Sequence, residues 1–204
     1  MEFTIEKEYA AKGYTVICGT DEAGRGPLCG NVVAGACILP LGIELPYLND
    51  SKKLTEKRRD ALYELIVEKA VSWAVAEATP AEIDEYNILN AAQLAMRRAV
   101  AKLTPSPDLT LVDGNVAREF TMETVTIVGG DAKSPSIAAA SILAKVTRDR
   151  ELYELDKAYP TLLLAKHKGY PTKAHYEALK AYIAEHGEIP SIYRRSFLKN
   201  LDTK

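Results

Sequence analysis

Four acidic residues stand where catalysis is chemically possible. Asp21 and Glu22 close the apolar run "YTVICGT", Asp113 closes "LTLVDG", and Asp131 follows a third run in "TVTIVGGDAKS". One Asp or Glu beside a glycine is ordinary turn chemistry, because the carboxylate satisfies nearby backbone and glycine accepts a positive φ. Four such residues after three separate apolar runs make a different pattern. If those three ends are neighbours, the carboxylates converge, repel one another, and need positive charge to stay ionised. Hard divalent cations take oxygen ligands, and Mg²⁺ commonly uses only one or two carboxylates beside water and phosphate oxygens. Four carboxylates therefore suit a pair of ions sharing a phosphate, one helping to generate hydroxide and the other stabilising the leaving oxygen.

The segment Gly24-Arg25-Gly26-Pro27 follows the first pair at once. It has the composition of a tight hairpin turn. The same lack of a Cβ lets the backbone press against a ligand and offer its own N–H and C=O groups, with Arg25 adding a charge for phosphate.

These groups need elements to position them. "YTVICGT" and "NVVAGACIL" read as strands joined by a short Gly/Pro region, which favours an antiparallel hairpin. "TEKRRDALYELIVEKA" has helical spacing at Leu62, Leu65, Ile66 and Ala70. "VSWAVAEA" reads as a third strand. Thr79, Pro80 and Glu82 then form a helix start, and a helical pattern runs from about Ile88 to Leu103. "LTLVDG" and "TVTIVGG" are two further short strands. Ser134-Pro135 opens a long alanine-rich helix, and a last helix runs from about Thr172 to His186 with Gly187 as its stop. A hairpin and third strand followed by helix–strand alternation implies a mixed sheet covered by helices.

"DEAGRGPLCG" resembles the D-E-A-G-R-G-P motif of type 2 ribonuclease H, the ribonuclease HII family. "NDSKKLTEKRR", "LVDGN", "GGDAKSPSIAAASILAKVTRDR", "HKGYPTKAHYEAL" and "RRSF" resemble further segments of that family, in family order along almost the whole chain. The resemblance implies an α/β, RNase H-like fold: a five-stranded mixed sheet, three strands antiparallel, flanked by helices. It implies one catalytic domain over 1–204, with a helical C-terminal extension from about residue 153. It implies that Asp21, Glu22, Asp113 and Asp131 are the catalytic and metal-binding set, with Mg²⁺ or Mn²⁺ as cofactor. Gly24, Arg25 and Gly26 would grip the ribonucleotide, and Tyr170 would sense its 2′-hydroxyl. Lys52 and Lys53 would lie near the scissile and flanking phosphates, with the closer of the two left open.

The activity so implied is endonucleolytic hydrolysis of the RNA strand of RNA–DNA hybrids, with cutting on the 5′ side of single ribonucleotides embedded in duplex DNA. The products would carry 3′-hydroxyl and 5′-phosphate ends. Telling RNA from DNA requires reading a 2′-OH, which both donates and accepts, and the backbone of a glycine loop suits that hydroxyl. No residue in this set reads a base edge, so cleavage should be independent of sequence. The expected partners are RNA–DNA hybrids and ribonucleotide-containing DNA, met by a cytoplasmic monomer in ribonucleotide removal and primer processing. Three alternatives stand beside this. Type 3 ribonuclease H shares the fold but carries an additional N-terminal domain, whereas only about thirteen residues precede the first strand here. A non-catalytic hybrid-binding module would not need the full acidic set. A resolvase-like nuclease would not need the Gly-Arg-Gly loop or Tyr170.

Composition agrees with a soluble globular protein. The 204 residues are 47% hydrophobic and 26% charged, enough for a real core. The net charge of −2 gives no global pull on nucleic acid, but 51–59 holds five basic residues against one acid, so a local patch is possible. Cys18, Cys29 and Cys37 lack zinc or disulfide spacing. The N-terminus has no apolar signal region, and "VVAGACILPLGI" is too short and broken to span a membrane. Lys145 and Arg148 share a helix face and would either touch phosphates or form a solvated surface. The alanines at 138–140 would allow close helix-to-sheet packing. His175 reads as a surface or packing residue. The tail "YRRSFLKNL" has no glutamine and one Phe. It is therefore read as a helix packed on the domain, not as a sliding-clamp peptide.

Overall fold

The computed structural model describes residues 1–48, 51, 54–199 and 201. Its five strands are β1 (Ile17–Ala23), β2 (Val32–Ile38), β3 (Ser72–Ala78), β4 (Leu109–Asp113) and β5 (Glu123–Ile127). They form one sheet in the order β3-β2-β1-β4-β5. β1 pairs antiparallel with β2, and β2 antiparallel with β3, while β1–β4 and β4–β5 are parallel. The central strand is therefore the one that carries Asp21 and Glu22, and Asp113 ends its parallel neighbour.

Alternation along the strands assigns their side chains to two layers. Ala34, Ala36 and Ile38 of β2, with Cys18 of β1, meet Ala91, Ala92, Ala95, Met96 and Ala99 of helix α4 (Ile88–Ala101). Cys37 faces the opposite layer. There Ala138, Ala139 and Ala140 of helix α5 (Pro135–Ala158) pack with Leu62 and Ile66 of helix α2 (Glu56–Lys69). Both faces are covered, so β1 and β2 read as nearly continuous apolar runs. Two glycines let α5 lie directly on the sheet. A Cβ on Gly19 would stand 2.2 Å from the Ser136 carbonyl carbon, and one on Gly35 would stand 2.3 Å from the Ala140 oxygen.

The expected helix starts are present. Thr79 and Glu82 form a reciprocal capping box on helix α3 (Pro80–Tyr86), and Ser134 caps α5 by accepting from the Ile137 N–H. Asn87 separates α3 from α4 at φ 66° and caps the latter. The sequence pattern predicts no helix at the N-terminus, yet α1 spans Thr4–Ala11. Phe3 precedes it and makes no side-chain cap, so the usual start signal is missing. Tertiary contact supplies the reason for it: buried Glu6 accepts from the Ser134 hydroxyl at 2.6 Å and the Ser136 N–H at 3.1 Å. A carboxylate is thereby placed at the positive end of α5.

The C-terminal region holds helices α6 (Leu164–His167) and α7 (Lys173–His186) and a 3-10 turn at Arg195–Phe197. It builds a separate apolar cluster in which Leu162, Leu164, Tyr176, Leu179, Tyr193 and Leu198 enclose Leu152 of α5 with Leu28 and Cys29. The boundary expected near residue 153 falls inside α5, which runs unbroken from the sheet face into this cluster. The end of the chain is thereby packed against the segment that follows Asp21 and Glu22. Among the described residues no helix is long and apolar enough to cross a membrane.

Candidate active site

β1 is buried through Asp21 and emerges at Glu22. The chain then turns at Gly24, where φ is +98° and an added Cβ would stand 2.5 Å from the Arg148 Nε. Both the backbone conformation and the lack of space demand glycine there. The abrupt bend after the acidic pair is thus imposed by a buried arginine lying against it.

Asp113 reaches the same place because β4 runs parallel to β1, with Val112 opposite Thr20. Its Oδ1 accepts from the Gly130 N–H at 2.6 Å, which ties the segment after β5 to the end of β4. Asp131 is the next residue and is buried. Asp21 feels the charges of Glu22 and Asp113, and Glu22 that of Asp113. Burial pushes the Asp21 carboxyl well above the usual carboxylate range, with Glu22 and then Asp113 adding to the rise; the Ser141 hydroxyl and the Glu22 N–H oppose it. Burial also raises Glu22, whereas Arg25, 3.2 Å away, pulls it back down and Asp113 pushes it up.

Each of these acids has a local support. Asp21 Oδ1 accepts from the Glu22 N–H at 2.7 Å. The Ser141 hydroxyl lies 2.8 Å from the hydroxyl of buried Ser51, the residue before Lys52. Among the described residues, no group of three or more Asp, Glu, His or Cys is placed so that it could hold a metal ion. Oxygens of Asp21 and Asp113 are instead directed to backbone N–H groups, and Glu22 to Arg25. Lys52 and Lys53 lie outside the described residues.

The glycine–arginine loop and Tyr170 come together although they are far apart in sequence. The Tyr170 ring lies 3.3 Å from where a Gly26 Cβ would be, which leaves the loop backbone against the ring. Tyr170 remains 44% exposed, so its phenol is available to a ligand. The Leu28 N–H donates to the Gly169 carbonyl at 2.8 Å, joining the loop to the Tyr170 segment by backbone as well.

Two supporting residues differ from the sequence reading, Arg148 and Arg194, and His175 takes the packing alternative of its two. Arg148 is not a solvated surface charge. It is fully buried, donates to the Lys168 carbonyl at 2.7 Å, and stands 5.8 Å from the centre of the Tyr170 ring. Lys145 pairs with Asp149 at 2.7 Å, and Arg148 Nη1 lies 3.5 Å from the same carboxylate oxygen. His175 is buried, stacked on His167 with ring centres 3.9 Å apart, and burial lowers its pKa to about 4. Arg194, in the tail, is also buried and bonded to the glycine loop. Charge and position along the chain carry no sign of these roles, because each partner lies on another element. All three cysteines are free and buried.

Residues 18–200 match the family profile described as Ribonuclease HII. A ribonuclease HII of Vibrio campbellii (strain ATCC BAA-1116) is 53% identical over 186 residues, covering 91% of this chain and 85% of the relative. The crystal structure of the ribonuclease H2 from Pyrococcus horikoshii OT3 aligns with a TM-score of 0.75 at 30% identity, over 89% of this chain and 93% of that one. A structure of the PCNA:RNase HII complex from Archaeoglobus fulgidus aligns with a TM-score of 0.75 at 28% identity, over 93% of this chain and 100% of that chain.

Proposed function

This chain belongs to the ribonuclease HII family, and on that premise we propose that, beyond cutting the RNA strand of RNA–DNA hybrids as an endoribonuclease, it incises duplex DNA on the 5′ side of single embedded ribonucleotides. The observation that carries this reading is the adjacency of two chemistries on one strand. Asp21 and Glu22 end β1, and the residues that follow form the loop on which Tyr170 leans. Groups suited to a phosphodiester thus lie one turn away from groups suited to a 2′-hydroxyl.

The chain's own residues divide the work. Backbone N–H and C=O groups of Gly24, Arg25 and Gly26 donate to and accept from the 2′-OH, and the Tyr170 phenol contacts the same hydroxyl and the sugar. Neither depends on the base, so incision follows the sugar and not the sequence. Arg25, Lys52 and Lys53 supply positive charge for phosphates.

Mg²⁺ or Mn²⁺ is the proposed cofactor, with Asp21, Glu22, Asp113 and Asp131 as its ligands. The donor set fits: it is all hard oxygen, and the burial and mutual repulsion that raise Asp21 and Glu22 are relieved by nearby positive charge. When bound, paired divalent ions supply Lewis acidity and a strong water-derived nucleophile at neutral pH. Gly130, Ser141 and Arg25 hold Asp113, Asp21 and Glu22 in orientation. The products are a 3′-hydroxyl and a 5′-phosphate. We read the chain as one catalytic domain acting as a cytoplasmic monomer in ribonucleotide removal and primer processing. Asp113→Asn, assayed on a duplex with one ribonucleotide, is expected to lose at least about a hundredfold in rate. Near-normal cleavage by that variant, or undiminished wild-type cleavage in EDTA, would contradict the assignment.

A further inference from the structure

Arg194 lies far from the glycine loop in sequence, yet its guanidinium hydrogen-bonds to that loop and lies 5.4 Å from the centre of the Phe197 ring. Nε donates to the Gly30 carbonyl at 3.0 Å, Nη1 to Pro27 at 2.8 Å and Arg25 at 3.3 Å, and Nη2 to Asn31 at 3.0 Å. Four carbonyls of one turn converge on one planar fork. Backbone bonds reinforce the contact: the Arg194 N–H donates to Leu28 at 2.9 Å and the Gly30 N–H to Ile192 at 2.9 Å. Among the described residues no carboxylate stands within ion-pair distance of Arg194. A buried, unpaired cation is a poor source of stability but a strong constraint on geometry.

Tyr193, the preceding residue, serves the other side of the grip. Its hydroxyl lies 2.7 Å from His175 Nε2, and His175 Nδ1 lies 2.9 Å from the Tyr170 carbonyl. A carbonyl only accepts, so Nδ1 carries the hydrogen and Nε2 accepts a hydrogen bond from the Tyr193 hydroxyl. His167 stacks on the imidazole and fills the space beside it. The dipeptide is itself anchored, because Asp84 of α3 accepts from the N–H groups of Arg195 and Ser196 at 2.8 and 2.9 Å.

We propose that Tyr193 and Arg194 form a positioning latch that holds the glycine–arginine loop and Tyr170 at one spacing, and so sets how well the enzyme selects a ribose at the cut. This rests on the single-ribonucleotide reading above. Neither residue needs to touch substrate. Misplacement by about 1 Å can cost on the order of a hundredfold in rate. A long hybrid presents a ribose at every nucleotide of one strand, so a loosened grip finds another register. A single ribonucleotide offers only one, and the two substrates should therefore respond differently.

The test uses the full chain, Tyr193→Phe and Arg194→Lys, with kcat and KM measured on both substrates and Tm measured in parallel. Tyr193→Phe keeps the ring and removes only the hydroxyl. It should stay folded, and its kcat/KM on the single ribonucleotide relative to the hybrid should fall about tenfold, as expected for one lost positioning bond. The loss should lie in kcat, since phosphate contacts are untouched. Arg194→Lys keeps the charge but cannot span four carbonyls, so it should fall at least as far. If Arg194→Lys does not fold, Tyr193→Phe decides. A folded Tyr193→Phe with an unchanged substrate ratio, or with both substrates reduced equally, would overturn the latch. A wild-type enzyme unable to cut at the single ribonucleotide would overturn the functional reading, and the latch with it.

Discussion

Asp21 illustrates how one residue carries opposing demands. Burial and the neighbouring acids hold its carboxyl well above the ordinary range. In the unfolded chain it loses its proton near pH 4, whereas in the folded chain it holds the proton to higher pH. Its contribution to stability is therefore present at low pH and is lost as pH rises through that window. Asp21→Asn removes the ionisation. In chelator at neutral pH the variant should be more stable than wild type, with a higher Tm. It should cleave neither substrate. A Tm gap that closes as pH falls toward 4 is the signature to measure by scanning calorimetry; a gap independent of pH would refute it. On the proposed function, stability would be given up here for a site that attracts cations, a common trade at catalytic positions.

Among the elements, α5 does the most to join fold and site. Its N-terminal half lies on β1 and β2 at Gly19 and Gly35 and brings Ser141 to Asp21, and its middle carries Arg148 to Gly24. The approach depends on bare backbone. Gly35→Ala would place a Cβ 2.3 Å from the Ala140 oxygen, which belongs to the helix backbone and cannot rotate away. A cost of about 1–3 kcal/mol or more is expected in urea unfolding, with reduced cleavage because Ser141 shifts too. Thr79→Ala, at the α3 cap, should cost about 1 kcal/mol and leave cleavage unaffected. Equal effects of the two variants on activity would contradict this division. The caps at Thr79 and Ser134 are legible in sequence because capping is local: the bond runs between residues three apart. Helix α1 is not legible, since Glu6 is stabilised by Ser134 and Ser136, far along the chain.

At the scale of the molecule, the tail completes the core and is bonded to the glycine–arginine loop. Tyr193 and Leu198 are buried in the C-terminal cluster beside Leu28 and Cys29. A chain ended after Gly187 exposes that cluster and frees the loop from Arg194. Burial of two large side chains is worth about 3–6 kcal/mol in total, so Tm should fall by at least about 6 °C, and cleavage at a single ribonucleotide should be lost. Retained Tm and activity would show that the tail is dispensable.

The sequence by itself determined the strands, most helices, the three acid-bearing strand ends and the glycine–arginine turn. Each follows from neighbours within a few positions, through alternation, capping and the freedom of glycine. Tertiary structure alone decided that Arg148 is buried against Gly24, that His175 bonds to Tyr170, and that Arg194 gathers four carbonyls of the loop. A charged residue reads as surface until its partner is known. Those partners are backbone groups brought near only by folding, and no local pattern encodes them.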